Sequence, residues 1–302
     1  MIPDHFSAAQ LVMDVGGSHV TAATVDFSPG RVGILRRVDG ELDSLGTRDE
    51  ILGALEAAGR PLVTQDIPWS IAMPGPFDYE LGTGSFKGIG KFAAIAGLDL
   101  RAALAERLDT RPSLVSFLND ADAYGIGEWA FGQEEPRPAR LVCLTLGTGV
   151  GSAFIRDGVA ITSGDDVPAE GAAYTIEYDG KPLEETVSTR AIRASYAGRS
   201  GDDLDVADIA RRASAGDPTA AAAFTDAMTA LGRAIGPWLD RFDATALVVG
   251  GAMSRSWPLL DRALRGGLAE ASKARALEVR PSQLLDEAPL LGTAEWARRS
   301  NA

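Results

Sequence analysis

Apolar residues come in short, dense runs that stop at glycine, and this punctuation organises the whole chain. The runs Leu11-Val-Met-Asp14-Val and Leu141-Val-Cys-Leu-Thr-Leu break into Gly16-Gly17-Ser18-His19 and Gly147-Thr148-Gly149. A second apolar run follows each break, over 20–25 and 153–155. Runs of this length bounded by turn residues read as buried strands, so each pair reads as a β-hairpin around a tight turn. Around the first hairpin the pattern predicts a third strand over 31–38, ending at Asp39-Gly40. A helix follows over 47–58, with Ile51, Leu52 and Leu55 at helical spacing behind a Thr47/Glu50 capping box. A strand over 69–73 then enters Pro74-Gly75-Pro76. Next come a glycine-rich loop over 82–90, a helix over 99–108 behind an Asp99 cap, a strand over 114–118 leading into Asn119-Asp120, and a helix over 121–131.

The proline-bearing stretch 134–140 separates this half from the second hairpin. After that hairpin the spacing predicts helices over 188–197, 206–215 and 218–242, a strand over 244–249 that stops at Gly250-Gly251, and helices over 259–271 and 292–299. A strand–glycine–strand opening in both halves is the trace of a duplicated α/β unit. The expected division is an N-terminal lobe over 1–118, a C-terminal lobe over 119–285, and a tail over 286–302 whose helix packs back onto the first lobe.

Composition narrows the chemistry. A length of 302 residues suits two lobes, each with its own core, and a formal net charge of −13 disfavours a nucleic-acid surface. Cys143 is the single cysteine and sits in an apolar run, which excludes an internal disulfide or a multi-cysteine metal site and reads as a core residue. No apolar run approaches the roughly 20 residues of a membrane span, and no leader pattern opens the chain, so the expected location is cytoplasmic.

Several residues carry chemistry. Glycine turns let backbone N–H groups approach an anion, so Gly16, Gly17, Gly147 and Gly149, with the Ser18 and Thr148 hydroxyls, can cradle phosphate. Two such turns imply a nucleotide held between two lobes. Asp14, ending a buried strand, can hold magnesium through a water or can simply cap its turn. Asp120 at a strand-to-helix junction can cap the helix or accept the proton of an attacking hydroxyl. Gly250-Gly251 can let a purine lie against backbone or merely turn the chain. His19 can meet phosphate or face solvent, and Lys87 and Lys91, read from the residues alone, carry solvated charge.

The ordered set Asp14-Val-Gly-Gly-Ser18, Pro74-Gly75-Pro76-Phe-Asp78, Asn119-Asp120-Ala121-Asp122-Ala123, Leu146-Gly-Thr-Gly-Val-Gly151 and Val248-Val-Gly250-Gly251 resembles the ROK family of repressors, open reading frames and sugar kinases. The resemblance implies a two-lobed, actin-like (ribonuclease H-like) α/β fold with a nucleotide and sugar cleft between the lobes. It implies an ATP- and Mg2+-dependent hexose kinase in which Asp120 is the general base and Gly75, Lys87, Asn119 and Glu170 join it as sugar contacts. The phosphate clamps are then the two glycine turns with Gly250-Gly251. A homodimer is the expected assembly. In zinc-bearing members a histidine follows the glutamate by three residues and a cysteine cluster comes next; here Ala173 and Asp179-Gly-Lys-Pro-Leu-Glu184-Glu185 stand there, so no zinc site of that kind is expected. Two other readings are a sugar-responsive sensor without a DNA-binding segment and a kinase that uses polyphosphate.

Overall fold

The computed structural model describes residues 9–28, 31–64, 67–88, 90–132, 136–273 and 276–300. The chain opens with β1 (Ala9–Val15), β2 (His19–Ser28) and β3 (Arg31–Glu41), followed by α1 (Arg48–Gly59) and β4 (Trp69–Met73). The two-residue strands β5 (Phe77–Asp78) and β6 (Thr83–Gly84), then α2 (Leu100–Arg107), β7 (Val115–Asn119) and α3 (Asp120–Phe131), complete the first stretch. β1, β2 and β3 form an antiparallel meander, and β4 and β7 add parallel strands, giving the order β3-β2-β1-β4-β7. A five-stranded sheet with helices against it buries Leu11, Met13, Ile71, Trp69, Ile51 and Leu55 in one core.

The second stretch repeats that plan. β8 (Arg140–Leu146), β9 (Val150–Arg156) and β10 (Val159–Ala160) form the meander, and a small hairpin of β11 (Glu177–Tyr178) and β12 (Lys181–Pro182) precedes α4 (Glu184–Val187), α5 (Thr189–Ser200), α6 (Val206–Ser214) and α7 (Pro218–Phe242). β13 (Ala246–Gly250), α8 (Trp257–Ala271), β14 (Glu278–Pro281) and the C-terminal α9 (Ala288–Ser300) follow. β13 and β14 lie parallel to β8, in the order β10-β9-β8-β13-β14, which is the first sheet's arrangement again. The core holds Leu144, Phe154, Phe224, Leu231 and Leu247.

Two compact units result: the described residues up to Gly127 with those from Asp286 onward, and Glu128–Leu285. The division falls inside α3, after residue 127 rather than the expected 118. Its physical cause is visible on either side. A Cβ on Gly127 would meet the Ala288 carbonyl of α9, and one on Gly292 would meet the Ala123 carbonyl, so the first turns of α3 pack on α9. Glu128, one residue on, is buried and bonded to Arg280 (2.9 Å) and to the Ser282 hydroxyl (2.6 Å) in the other unit's own chain. The expected boundary over 134–140 lies partly outside the described residues.

Element boundaries shift where a cap or a pairing intervenes. β3 runs through Gly40 to Glu41 because Gly40 pairs with Val20, whose Cγ1 would stand 3.4 Å from a Cβ there. The loop over 82–90 contains β6, which pairs with β5. α5 starts after Ser188, whose side chain caps it, and ends at Gly201 with φ 80. α8 starts at Trp257 and α9 at Ala288, both ahead of their predicted starts. β14 escaped the pattern because Glu278, Arg280 and Pro281 break its apolar run.

Candidate functional site

In the first unit, β1 ends at Asp14 and Val15 and turns through Gly16-Gly17, closed by Gly16 N–H donating to the His19 carbonyl at 2.9 Å. Parallel β7 ends at Asn119, two strands away in the same sheet, and runs directly into α3. Asn119 caps that helix: its Oδ1 accepts from Ala121 N–H (2.9 Å) and Asp122 N–H (3.1 Å). Its Nδ2 donates to Tyr79 Oη at 2.9 Å, and that hydroxyl donates to the Met73 carbonyl at 3.1 Å. A Cβ on exposed Gly75 would lie 3.6 Å from the same Tyr79 hydroxyl, so Tyr79 ties Gly75 to Asn119. Tyr79 has no sequence signal beyond its place in the loop after Pro76.

With Asn119 as the cap, Asp120 is released from that duty. It accepts from Ala121 N–H at 2.9 Å and has no side-chain hydrogen-bond partner among the described residues. Burial raises its pKa above 3.8, opposed by backbone N–H groups and by the Lys91 ammonium. Burial, then the Asp120 charge, raises Asp14 from 3.8 to about 7. Asp122 is raised to about 7 for the same two reasons, burial first. Asp14 resists ionisation beside the Asp120 charge, and a divalent cation with oxygen ligands would relieve it, so the two carboxylates fit magnesium held largely through water. His19 is half exposed, its Nε2 3.9 Å from Asp14 Oδ2. Lys91 lies beside Gly17, whereas no hydrogen bond or ion pair among the described residues joins exposed Lys87 to this group.

In the second unit, the Gly147-Thr148-Gly149 turn joins β8 to β9, with Thr148 exposed. Gly147 donates to the Gly149 carbonyl at 3.0 Å, and the Gly147 carbonyl accepts from Thr189 N–H, at the start of α5, at 2.9 Å. Gly251 stands at φ 77, and a Cβ there would meet Leu146 O at 2.5 Å and Leu146 N at 2.7 Å. Only glycine fits that close approach, which sets the 250–251 turn against the base of the 147–149 turn. Gly147 has open space around it and its turn lies close to the N-terminus of a twelve-residue helix, an arrangement that suits an anion.

The sequence did not single out Glu184 for this turn. Its carboxylate accepts from Val150 N–H at 3.3 Å, and its Oε2 would lie 2.6 Å from a Cβ on Gly149. Glu170 is exposed at φ 59, in a loop tied down by buried Ser152, which donates to the Gly171 carbonyl and accepts from Ala173 N–H, both at 2.7 Å. Tyr174 has its pKa raised by burial, then by Glu170 and Glu184, so one acidic patch spans both glutamates. Ala173 is fully buried, and the β11–β12 hairpin and α4 occupy the stretch after it.

Comparison with known proteins gives this arrangement relatives. The chain is 27% identical to the glucokinase of Thermotoga maritima, over 93% of this chain and 95% of that protein. Among solved structures it is similar to a ROK family glucokinase from Streptomyces griseus in complex with glucose and AMPPNP, with a TM-score of 0.77 and 23% identity over 96% of this chain and 99% of that one. It is also similar to a ROK family transcriptional regulator homologous to the E. coli MLC protein, with a TM-score of 0.75 and 20% identity over 96% of this chain and 78% of that one. These likenesses establish the two-lobed actin-like fold. The ROK family model matches residues 63–300, and the chain therefore belongs to the ROK family.

Proposed function

We propose that this protein is an ATP-dependent sugar kinase that phosphorylates a hexose hydroxyl, the 6-hydroxyl, with Asp120 as general base. The observation that carries the reading is the release of Asp120: Asn119 takes over the helix cap, leaving a half-buried carboxylate that no side chain among the described residues hydrogen-bonds. Asp120 accepts the proton as the sugar oxygen attacks the γ-phosphorus; the bond from that phosphorus to the β–γ bridging oxygen breaks, and ADP leaves. Asn119, Gly75 and Glu170 serve the sugar, with Lys87 at the rim. Gly16, Gly17 and Ser18, Gly147, Thr148 and Gly149, and Gly250 and Gly251 serve the nucleotide phosphates and base. Magnesium, held through water by Asp14, neutralises charge on the phosphates when bound.

Both glucokinase relatives support a sugar substrate. Ala173, at the position of the family's histidine, removes one inherited basis for choosing glucose. The second reading, a sensor that binds sugar without turning it over, is favoured by one observation, the close fold match to a family regulator. We propose a cytoplasmic homodimer as the working form. Among the described residues no helix is long and apolar enough to cross a membrane.

The decisive experiment is coupled ADP release with MgATP over glucose, fructose, mannose, allose, N-acetylglucosamine and N-acetylmannosamine, with Asp120→Asn in parallel. Sugar-dependent release that falls by about 10³-fold in the variant is the expected result for loss of a general base. Silence on every sugar, with sugar binding still seen by calorimetry, selects the sensor. Near wild-type turnover in Asp120→Asn removes Asp120 from the mechanism.

A further inference from the structure

The first glycine turn carries a cation that the family motifs do not supply. The Gly17 carbonyl accepts from Ser44 N–H at 3.2 Å, and the Ser44 carbonyl accepts from Phe92 N–H at 2.6 Å, so two backbone bonds couple the turn to residue 92. Phe92 is a buried phenylalanine at φ 58, with its ring centroid 5.4 Å from that of Phe86. A bulky residue in the left-handed region costs on the order of 1–3 kcal/mol and persists only where surrounding packing dictates it. Here the dictated conformation sets the residue before it, Lys91, against the turn.

The Lys91 stem runs along Gly17: Cδ, Cε and Nζ lie 3.5, 3.4 and 3.3 Å from where a Gly17 Cβ would stand. The ammonium therefore sits directly over the second glycine, and the His19 ring covers the first, its Nδ1 2.8 Å from a Cβ on Gly16. Among the described residues Lys91 has no ion-pair partner, although Asp120 is close enough to feel its charge. An ammonium held over a glycine turn, with no ion-pair partner among the described residues and near enough to the half-buried Asp120 for their charges to interact, is arranged to meet a third, anionic group there.

We infer that Lys91 is a catalytic residue whose ammonium contacts the phosphoryl group in transfer at the Gly16-Gly17 turn. This inference rests on the kinase reading and deepens it. The ammonium stabilises charge that accumulates on the equatorial oxygens as the phosphoryl group moves, and its field favours the ionised form of Asp120.

The test measures binding and turnover together. Wild type, Lys91→Gln, Lys91→Arg and Gly17→Ala are titrated calorimetrically with Mg-AMPPNP and with Mg-ADP, and assayed for sugar-dependent ADP release. The expected result in Lys91→Gln is a kcat lower by about 10²-fold, the size seen when one transition-state donor is removed. Its preference for AMPPNP over ADP is lost, while ADP affinity and sugar KM stay within about twofold. Lys91→Arg recovers part of both losses. Gly17→Ala places a methyl group where the stem lies, so its effect and that of Lys91→Gln combine to less than their sum. A Lys91→Gln protein with unchanged kcat and unchanged AMPPNP preference overturns the inference and leaves the kinase reading standing. A wild type that turns over no sugar, yet loses its AMPPNP preference in Lys91→Gln, overturns the kinase reading and keeps Lys91 as a phosphate ligand. A wild type that binds neither nucleotide overturns both.

Discussion

At the residue scale, the carboxylates of the first unit make the protein's stability depend on pH. Asp122 has its folded pKa raised from 3.8 to about 7 by burial and by Asp120, and Asp14 is raised similarly. A group whose folded pKa is raised contributes stability that is complete below its unfolded value and is lost as pH climbs through the folded value. Between about pH 4 and pH 7 this region therefore loses stability as pH rises. Asp122→Asn removes one of these groups, and its thermal midpoint is expected to fall less than the wild type's between about pH 5 and about pH 8. Scanning calorimetry of the ligand-free protein checks this; parallel declines in the two proteins dismiss the role given to Asp122. Under the base role proposed for Asp120, turnover is expected to move in the opposite direction, since a base must be ionised: activity rises with pH through the raised Asp120 pKa. The places of Asp14, Asn119 and Asp120 were legible in the sequence because the signal is local: each stands near the end of a strand that breaks into a turn or helix. The contacts of Lys91, Tyr79 and Glu184 were not, because their partners lie far along the chain and only tertiary structure delivers them: Lys91, legible only as a loop lysine, reaches Gly17 through Ser44 and Phe92, and Glu184 reaches Val150 from the start of α4.

At the element scale, α3 carries Asp120 at its first position, and the glycines that let it pack fix where that residue stands. Gly292 of α9 leaves no room for a side chain, since a Cβ would strike the Ala123 carbonyl and stand 2.5 Å from Gly127 N. Both atoms are backbone and cannot swing aside, so Gly292→Ala must push the helices apart, at a cost of about 2 kcal/mol or more. Gly53 of α1 is the internal control: nothing lies within 4 Å of its Cβ, and Gly53→Ala is expected to stabilise by roughly 0.5–1 kcal/mol through helix propensity. Urea titrations of the two variants should shift in opposite directions, and a Gly292→Ala protein as stable as wild type removes the close-packing account. Helices with caps written into the sequence were legible almost to the residue: Thr47 and Glu50 close the capping box of α1, and Asp99 caps α2. β14 and the break inside α3 were not, because both depend on the buried Glu128–Arg280 pair, which joins residues 152 positions apart. A charged residue in a strand-length run reads as an interruption until its partner is known.

At the scale of the whole molecule, charge selects the phosphoryl donor. The chain carries 42 acidic and 29 basic side chains, a formal net charge of −13. A linear polyphosphate needs a track of cations along its length, and each further phosphate adds repulsion from a body of this sign. MgATP presents a short triphosphate largely neutralised by its metal, which asks for far less cationic surface. Within the second unit the 147–149 turn has an acid, Glu184, as its neighbour instead of a base, which disfavours a long polyanion at that turn. At equal phosphoryl concentration the protein is therefore expected to turn over sugar with MgATP at least about tenfold faster than with long-chain polyphosphate. Any polyphosphate rate should rise as salt shortens the screening length, which is about 10 Å at 0.1 M. The measurement is sugar phosphate formed from each donor at low and at physiological ionic strength. Equal rates from the two donors, or a polyphosphate rate that falls as salt is added, would mean that a basic track outweighs the net charge, and the donor assignment would then pass from ATP to the polyanion.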